Sequence, residues 1–183
     1  YPRRPYGRPD EVFRLSVVRN LQGVADMIMW FDLLKRIQDV LIACKISSPV
    51  QLGAVIPQHA NVDEIGKIML VRGSETVNDE SIENELLVTI YLEAWVRNDD
   101  PDLSVGYARI SELEGQIDAA LKQMRQAVGS LNEDICVLNG SNYQILDLKV
   151  KQKTGDLDAL RPLLGSQYTI ECRLFDLNRE GGI

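Results

Sequence analysis

The sequence predicts an α+β domain: a mixed or antiparallel sheet of about four to five strands packed by two amphipathic helices, with an extended N-terminal arm. Three observations predict it. Residues Glu85–Arg97 alternate apolar and polar over their whole length, the period-two pattern of a strand buried on one face. Residues from Leu103 to Val128 instead repeat apolar side chains at steps of three and four, the pattern of a long amphipathic helix. Two more alternating segments near the C-terminus supply strands to pair with the first. At 183 residues, with 45% hydrophobic and 26% charged residues, the chain fits one globular core and lies far from disordered composition.

The opening Tyr1-Pro-Arg-Arg-Pro-Tyr-Gly-Arg-Pro9 holds three prolines and no apolar periodicity, so it is expected to be extended. From Glu11 the pattern turns helical, with Asp10 as N-cap and Leu15, Val18, Leu21 and Val24 in register. Gly23 divides this run. Residues 1–23 are therefore read as a basic arm with a short helical segment, and 24–183 as the α+β domain. The second helix, about Val24 to Cys44, carries Met27, Phe31, Leu34, Ile37 and Leu41 inward, and Ser47-Ser48-Pro49 stops it. At this spacing Met27, Trp30 and Phe31 are core rather than a cofactor box.

Residues 48–66 read as loop, and Lys67–Arg72 as a short strand around Ile68–Val71 that Gly73 closes. Glu75–Glu85 is an acidic connector. Along Glu85–Arg97, Leu86, Val88, Ile90, Leu92, Ala94 and Val96 share the covered face, and Thr89, Tyr91, Glu93, Trp95 and Arg97 the other. Tyr91 and Trp95 on that second face are either a contact patch or packed beneath this domain's own helix. Asp100 with Pro101 is the expected start of the next helix, whose stripe is Leu103, Tyr107, Ile110, Leu113, Ile117, Leu121, Met124 and Val128, with Gly129 at its end. The same aspartates stand at alternating positions, but an EF-hand loop needs Gly and Glu where Val105 and Ser111 stand. Ile135–Leu138 is a short strand before an Asn139-Gly140 turn. Tyr143–Gln152 follows with Leu146, Leu148 and Val150 inward. After a loop containing Gly155, Pro162 and Gly165, Tyr168, Ile170, Cys172 and Leu174 point inward on the last strand.

Chemistry-bearing patterns are sparse. His59 is the one histidine, in a loop without a nucleophile or orienting acid at a recognisable spacing. Phosphate-binding glycine loops and Cys/His ligand pairs do not occur, so no catalytic residue, cofactor or metal is expected. Cys44, Cys136 and Cys172 read as buried reduced thiols. Asn139-Gly140-Ser141 is simply a turn. With no bilayer-length apolar run and no signal-type segment behind the first arginines, an intracellular, non-membrane protein is expected. Net charge is −7, unevenly placed: Arg3, Arg4, Arg8, Arg14 and Arg19 against Asp10 and Glu11 leave +3 on residues 1–20 and −10 on the rest. An acidic body disfavours sequence-specific binding to nucleic acid, whereas the arm suits an acidic surface such as that of a neighbouring copy.

The order of elements resembles the tail terminator, or tail-completion, family of long-tailed bacteriophages. The likeness rests on Ile68–Val71, the strand Leu86–Arg97 running into Asn98-Asp-Asp100, the helix through Tyr107, Ile110, Leu113, Ile117 and Leu121, and the strand Tyr168–Leu174. It covers about residues 24 to 176. Residues 1–23 extend beyond the family's usual start. The resemblance implies a virion structural subunit without enzymatic activity, assembled in the host cytoplasm. Six copies would form a ring that caps the tail tube, joins neck and head-completion proteins, and lets DNA pass. The candidate contact residues are Arg3, Arg4, Tyr6 and Arg8 on the arm and Tyr91, Trp95 and Arg97 on the strand. The alternatives are another phage neck or head-tail adaptor protein, a small-molecule-binding α+β regulatory domain, and an enzyme working through carboxylates alone.

Overall fold

The computed structural model describes residues 29–77 and 85–179. The arm with Arg3, Arg4, Tyr6 and Arg8, the first helical segment and the middle of the acidic connector lie outside the described residues. Helix α1 is described over 29–43. Leu33, Ile37 and Leu41, four residues apart, are fully buried, as side chains stacked on one helical face must be. Phe31, expected inward, is 46% exposed and meets Trp30 edge-on at 6.0 Å, because Leu33 and Leu34 occupy the face that meets the sheet.

Six strands follow: β1 (Val50–Leu52), β2 (Lys67–Val77), β3 (Glu85–Arg97), β4 (Val137–Leu138), β5 (Tyr143–Gly155) and β6 (Leu163–Asp176). They form one mixed sheet in the order β1-β2-β3-β6-β5-β4, with β1 parallel to β2 and every other neighbour antiparallel. The added strand is β1, three residues within the expected loop 48–66. Strand β2 does not stop at Gly73. It bulges there, where an added Cβ would lie 3.0 Å from the Thr89 carbonyl carbon, and resumes to Val77.

Strand β3 behaves as its alternation predicts. Val88, Ile90, Leu92, Ala94 and Val96 are buried together, and all thirteen residues pair with β6. Strand β5 departs from its expected phase. Leu146 is an extra residue in the ladder between Ile145 and Asp147, and Lys151 another between Val150 and Gln152. The first bulge shifts the face assignment by one, so Ile145 and Leu148 are both buried; Val150 keeps the inward parity of Leu148, opposite Ile170, but is exposed. Gly165, expected in a loop, is a strand residue opposite Trp95.

Helix α2 (Leu103–Gly129) buries Ile110, Leu113, Ile117, Leu121, Met124 and Val128. Its first apolar residues, Leu103 and Tyr107, are 53% and 49% exposed, while Gly106 takes the buried position against Leu164 and Asn98. A single-turn helix α3 (Glu133–Cys136), N-capped by Asn132, replaces the first half of the strand expected at Ile135–Leu138. Both long helices share one core with the inner face of the sheet. The sheet curls around α1, which reaches both of its edges. Gln38 Nε2 donates to the Val50 carbonyl of β1 at 2.8 Å, and Arg36 Nη2 donates to the Val137 carbonyl of β4 at 3.0 Å. On the outer face, loops on either side of β2 and β6 bring Ala60, Val62 and Leu160 over Met69, Trp95 and Leu163. Beyond them, Val71, Tyr91, Thr89, Thr169 and Glu171 stand half-buried, with no packed layer above them among the described residues.

Candidate functional site

Two regions present functional side chains: the corner and cleft where α2 begins, and the outer face of the sheet. At the corner, successive Asx turns steer the chain from β3 into α2. Asn98 Oδ1 accepts from Asp100 N at 3.3 Å, Asp100 Oδ1 from Asp102 N at 2.8 Å, and Asp102 Oδ1 from Ser104 N at 2.9 Å. The helix cap is therefore Asp102, two residues later than the expected Asp100-Pro101 start. Asx turns at Asn98 and Asp100 hold the intervening residues outside the helix. The bond from Ser104 keeps the Asp102 carboxyl below its ordinary range. Among the described residues, no three His, Cys, Asp or Glu side chains converge in metal-binding geometry.

The start of α2 faces the loop joining β5 to β6 across a cleft of about 670 Å3, lined by Tyr107, Ser111, Glu114, Asp156, Leu157 and Asp158 among others. Leu157 and Asp158 both adopt left-handed backbone conformations, φ 55° and 59°, and Leu157 is 93% exposed. The loop is held by its polar neighbours. The Tyr107 hydroxyl donates to Asp158, Arg161 pairs with Asp158 at 3.2 Å and lies over the Tyr107 ring at 5.3 Å, and Asp156 Oδ1 accepts from Asp158 N at 3.2 Å. The hydrogen bond to Asp158 raises the Tyr107 phenol and lowers the Asp158 carboxyl, fixing them as neutral donor and anion. At the inner end, Lys153 pairs with Glu114 at 2.7 Å and lies 4.9 Å from the centre of the Tyr168 ring. Burial alone would lower this ammonium, but Glu114 and Tyr168 outweigh it and hold the group above the ordinary lysine range. The result is an anchored surface of acids and apolar groups. His59 is exposed on a separate 3-10 turn, Pro57–His59.

Among the sequence-predicted contact residues, Tyr91 is half-buried on the outer face, in register with Val71 and Thr169. Trp95 is not an exposed neighbour of Tyr91. It is 8% exposed, packed with Met69, Ala60, Val62 and Leu163, its indole lying over Gly165 and its Nε1 donating to Glu93 Oε2 at 3.3 Å. Loops, rather than this domain's own helix, cover it. Arg97 is exposed and paired with Asp99 at 2.6 Å. Leu157, Asp158 and the outward role of Tyr107 were missed in the sequence reading. The available signal was a lone leucine between two aspartates in a glycine-led strand connection.

Comparison of the chain with protein-family models and with curated proteins gives no match. No described helix is long and apolar enough to cross a membrane.

Proposed function

We propose that the chain is a virion structural subunit resembling a phage tail terminator. On this reading six copies close into a ring, cap the tail tube and join it to neck and head-completion proteins, without enzymatic activity. One observation supports the reading most: both long helices and the main apolar core lie on the inner side of a curled sheet, with a smaller cluster around Trp95 outside. That leaves the outer face around Tyr91 and the rim around Leu157 as two different surfaces of one rigid body. A closed ring requires two unlike, complementary patches on each copy. The acidic body adds that a channel it lines would repel DNA phosphates and let the duplex slide. Light scattering and electron microscopy of the purified chain test the proposal. Rings of about six copies are expected, and a monomer that persists at high concentration would overturn it.

The cleft beside α2 favours a second reading, a small-molecule-binding regulatory domain, since its volume lies in the range of ligand pockets. A ligand-dependent rise in melting temperature without ring formation would select that reading.

A further inference from the structure

We propose that the cleft between the start of α2 and the β5–β6 loop seats the arginine-rich segment Arg3–Arg8 of a neighbouring copy. The inference rests on the ring reading and names the contact that closes it.

Three features of the cleft ask for an occupant. Leu157 is held out in water by a backbone conformation that non-glycine residues adopt rarely, and an exposed leucine forgoes the favourable burial of its side chain. The polar bonds of Asp158 keep the loop in that shape, so the loop presents Leu157 rather than tucking it away. Tyr107 and Leu103 extend the apolar rim along α2. In the lining, Asp156 Oδ2 is shielded from solvent and accepts no hydrogen bond from the described residues, and a buried acceptor left unmade is costly.

The segment Arg3-Arg4-Pro5-Tyr6-Gly7-Arg8 supplies what is missing. A guanidinium donates charge-assisted bonds to a carboxylate such as Asp156. The Tyr6 ring offers apolar area to Leu157 and Tyr107, and aromatic and arginine side chains are those that interface cores favour. The charges also match, +3 on residues 1–20 against −10 on the remainder.

The ring reading assigns the segment to a neighbour; the same copy's segment is the alternative that the test separates. The described chain begins at Met29, one helical turn before Asp32, whose carboxylate lies against Gly140 in the β4–β5 turn. The cleft lies at Gly155, the other end of β5. Twelve strand residues at about 3.3 Å each, in a bulged and curled strand, put the two points at most about 40 Å apart. A donor segment on one copy and an acceptor cleft on the next make a head-to-tail contact, which a rotation closes into a ring.

The test uses the full chain carrying a photo-crosslinking benzoyl-phenylalanine at position 6, mixed as isotopically heavy and light copies and read by mass spectrometry. Expected are heavy–light cross-links to residues 103–114 or 155–158. They should fall at least fivefold with Leu157→Ser, a change at an exposed position that leaves the core intact. They should be lost in the triple variant Arg3→Glu, Arg4→Glu, Arg8→Glu and partly regained when Asp156→Lys is added to it. Cross-links within single-isotope chains only, cross-links outside the cleft, none at all, or a yield indifferent to these variants would overturn the inference. If rings still form under those outcomes, only the docking assignment fails. A monomeric wild-type chain removes the ring reading as well.

Discussion

Replacing Gly165 by alanine tests how the outer-face cluster is built. An added Cβ would sit 2.6 Å from Trp95 Cδ2 and closer still to Cε3 and Cζ3, well inside van der Waals contact. The indole cannot slide freely, since Met69, Ala60, Val62 and Leu163 surround it and Glu93 holds its Nε1. Overpacking of this kind costs about 1–3 kcal/mol. Losing the indole altogether, as in Trp95→Ala, sets the ceiling at about 3–5 kcal/mol. In the Trp95→Ala background the clash is gone, and an alanine in a strand is up to about 1 kcal/mol better than a glycine, so there Gly165→Ala is neutral or stabilising. The two sites therefore couple by at least about 1 kcal/mol, a size that double-mutant cycles resolve. Urea unfolding of the four proteins, followed by far-UV circular dichroism because two of them lack Trp95, gives the cycle directly. Equal cost of Gly165→Ala in both backgrounds, or no cost in the wild type, would refute the packing argument.

The shifted helix start predicts that Asp102→Ala lowers the unfolding free energy by about 1 kcal/mol while Asp102→Asn is nearly silent, and that Asp100→Ala costs less than Asp102→Ala. The reverse order in urea melts would return the cap to Asp100. Burial pushes the Cys172 thiol up to about 12, and Cys136 is also buried while Cys44 is only half-buried. At mildly alkaline pH an aromatic disulfide reagent should therefore titrate one thiol quickly in the native chain and all three after unfolding, and three fast thiols in the native chain would contradict this. Lys153 and Tyr168 predict the direction of alkaline loss. The lysine is raised above its ordinary 10.5, and burial raises the Tyr168 phenol above 10.0. Both therefore contribute stability that is present below those values and lost as pH rises beyond them. Urea midpoints should hold up to about pH 10 and fall as pH rises beyond it, less steeply in Tyr168→Phe, and a flat profile above about pH 10 would count against the contacts.

Much of the fold was legible because its long elements are periodic. The alternation of β3 and the stripe from Ile110 to Val128 located the central strand and the main helix by chemistry alone. Three residues of β1 carry no period to read, so a parallel edge strand passed for loop. The bulges at Leu146 and Lys151 each shift the phase of β5, which a strict alternation assigns wrongly. Leu103 and Tyr107 continue the apolar pattern of α2, but in that turn the residue that meets β6 is Gly106, which an apolar pattern does not count. Parity placed Trp95 on the correct face, but what covers that face comes from residues 60–62 and 160–163, far away in sequence. The cleft was less legible than the fold, because Leu157 becomes conspicuous only once the loop holding it is seen to face Tyr107.

The reach of α1 to both edges of the sheet also governs the timing of synthesis. Arg36 bonds the carbonyls of Asp134 and Val137, 98 and 101 residues further along the chain. At about 5–20 residues per second on the ribosome, roughly 5–20 s pass between the emergence of α1 and that of its last partners. Throughout that interval the face bearing Leu33, Ile37 and Leu41 has no completed seat. A chain terminated before residue 138 keeps it bare permanently, so C-terminal truncations should aggregate or be held by chaperones, even where every residue of α1 is intact.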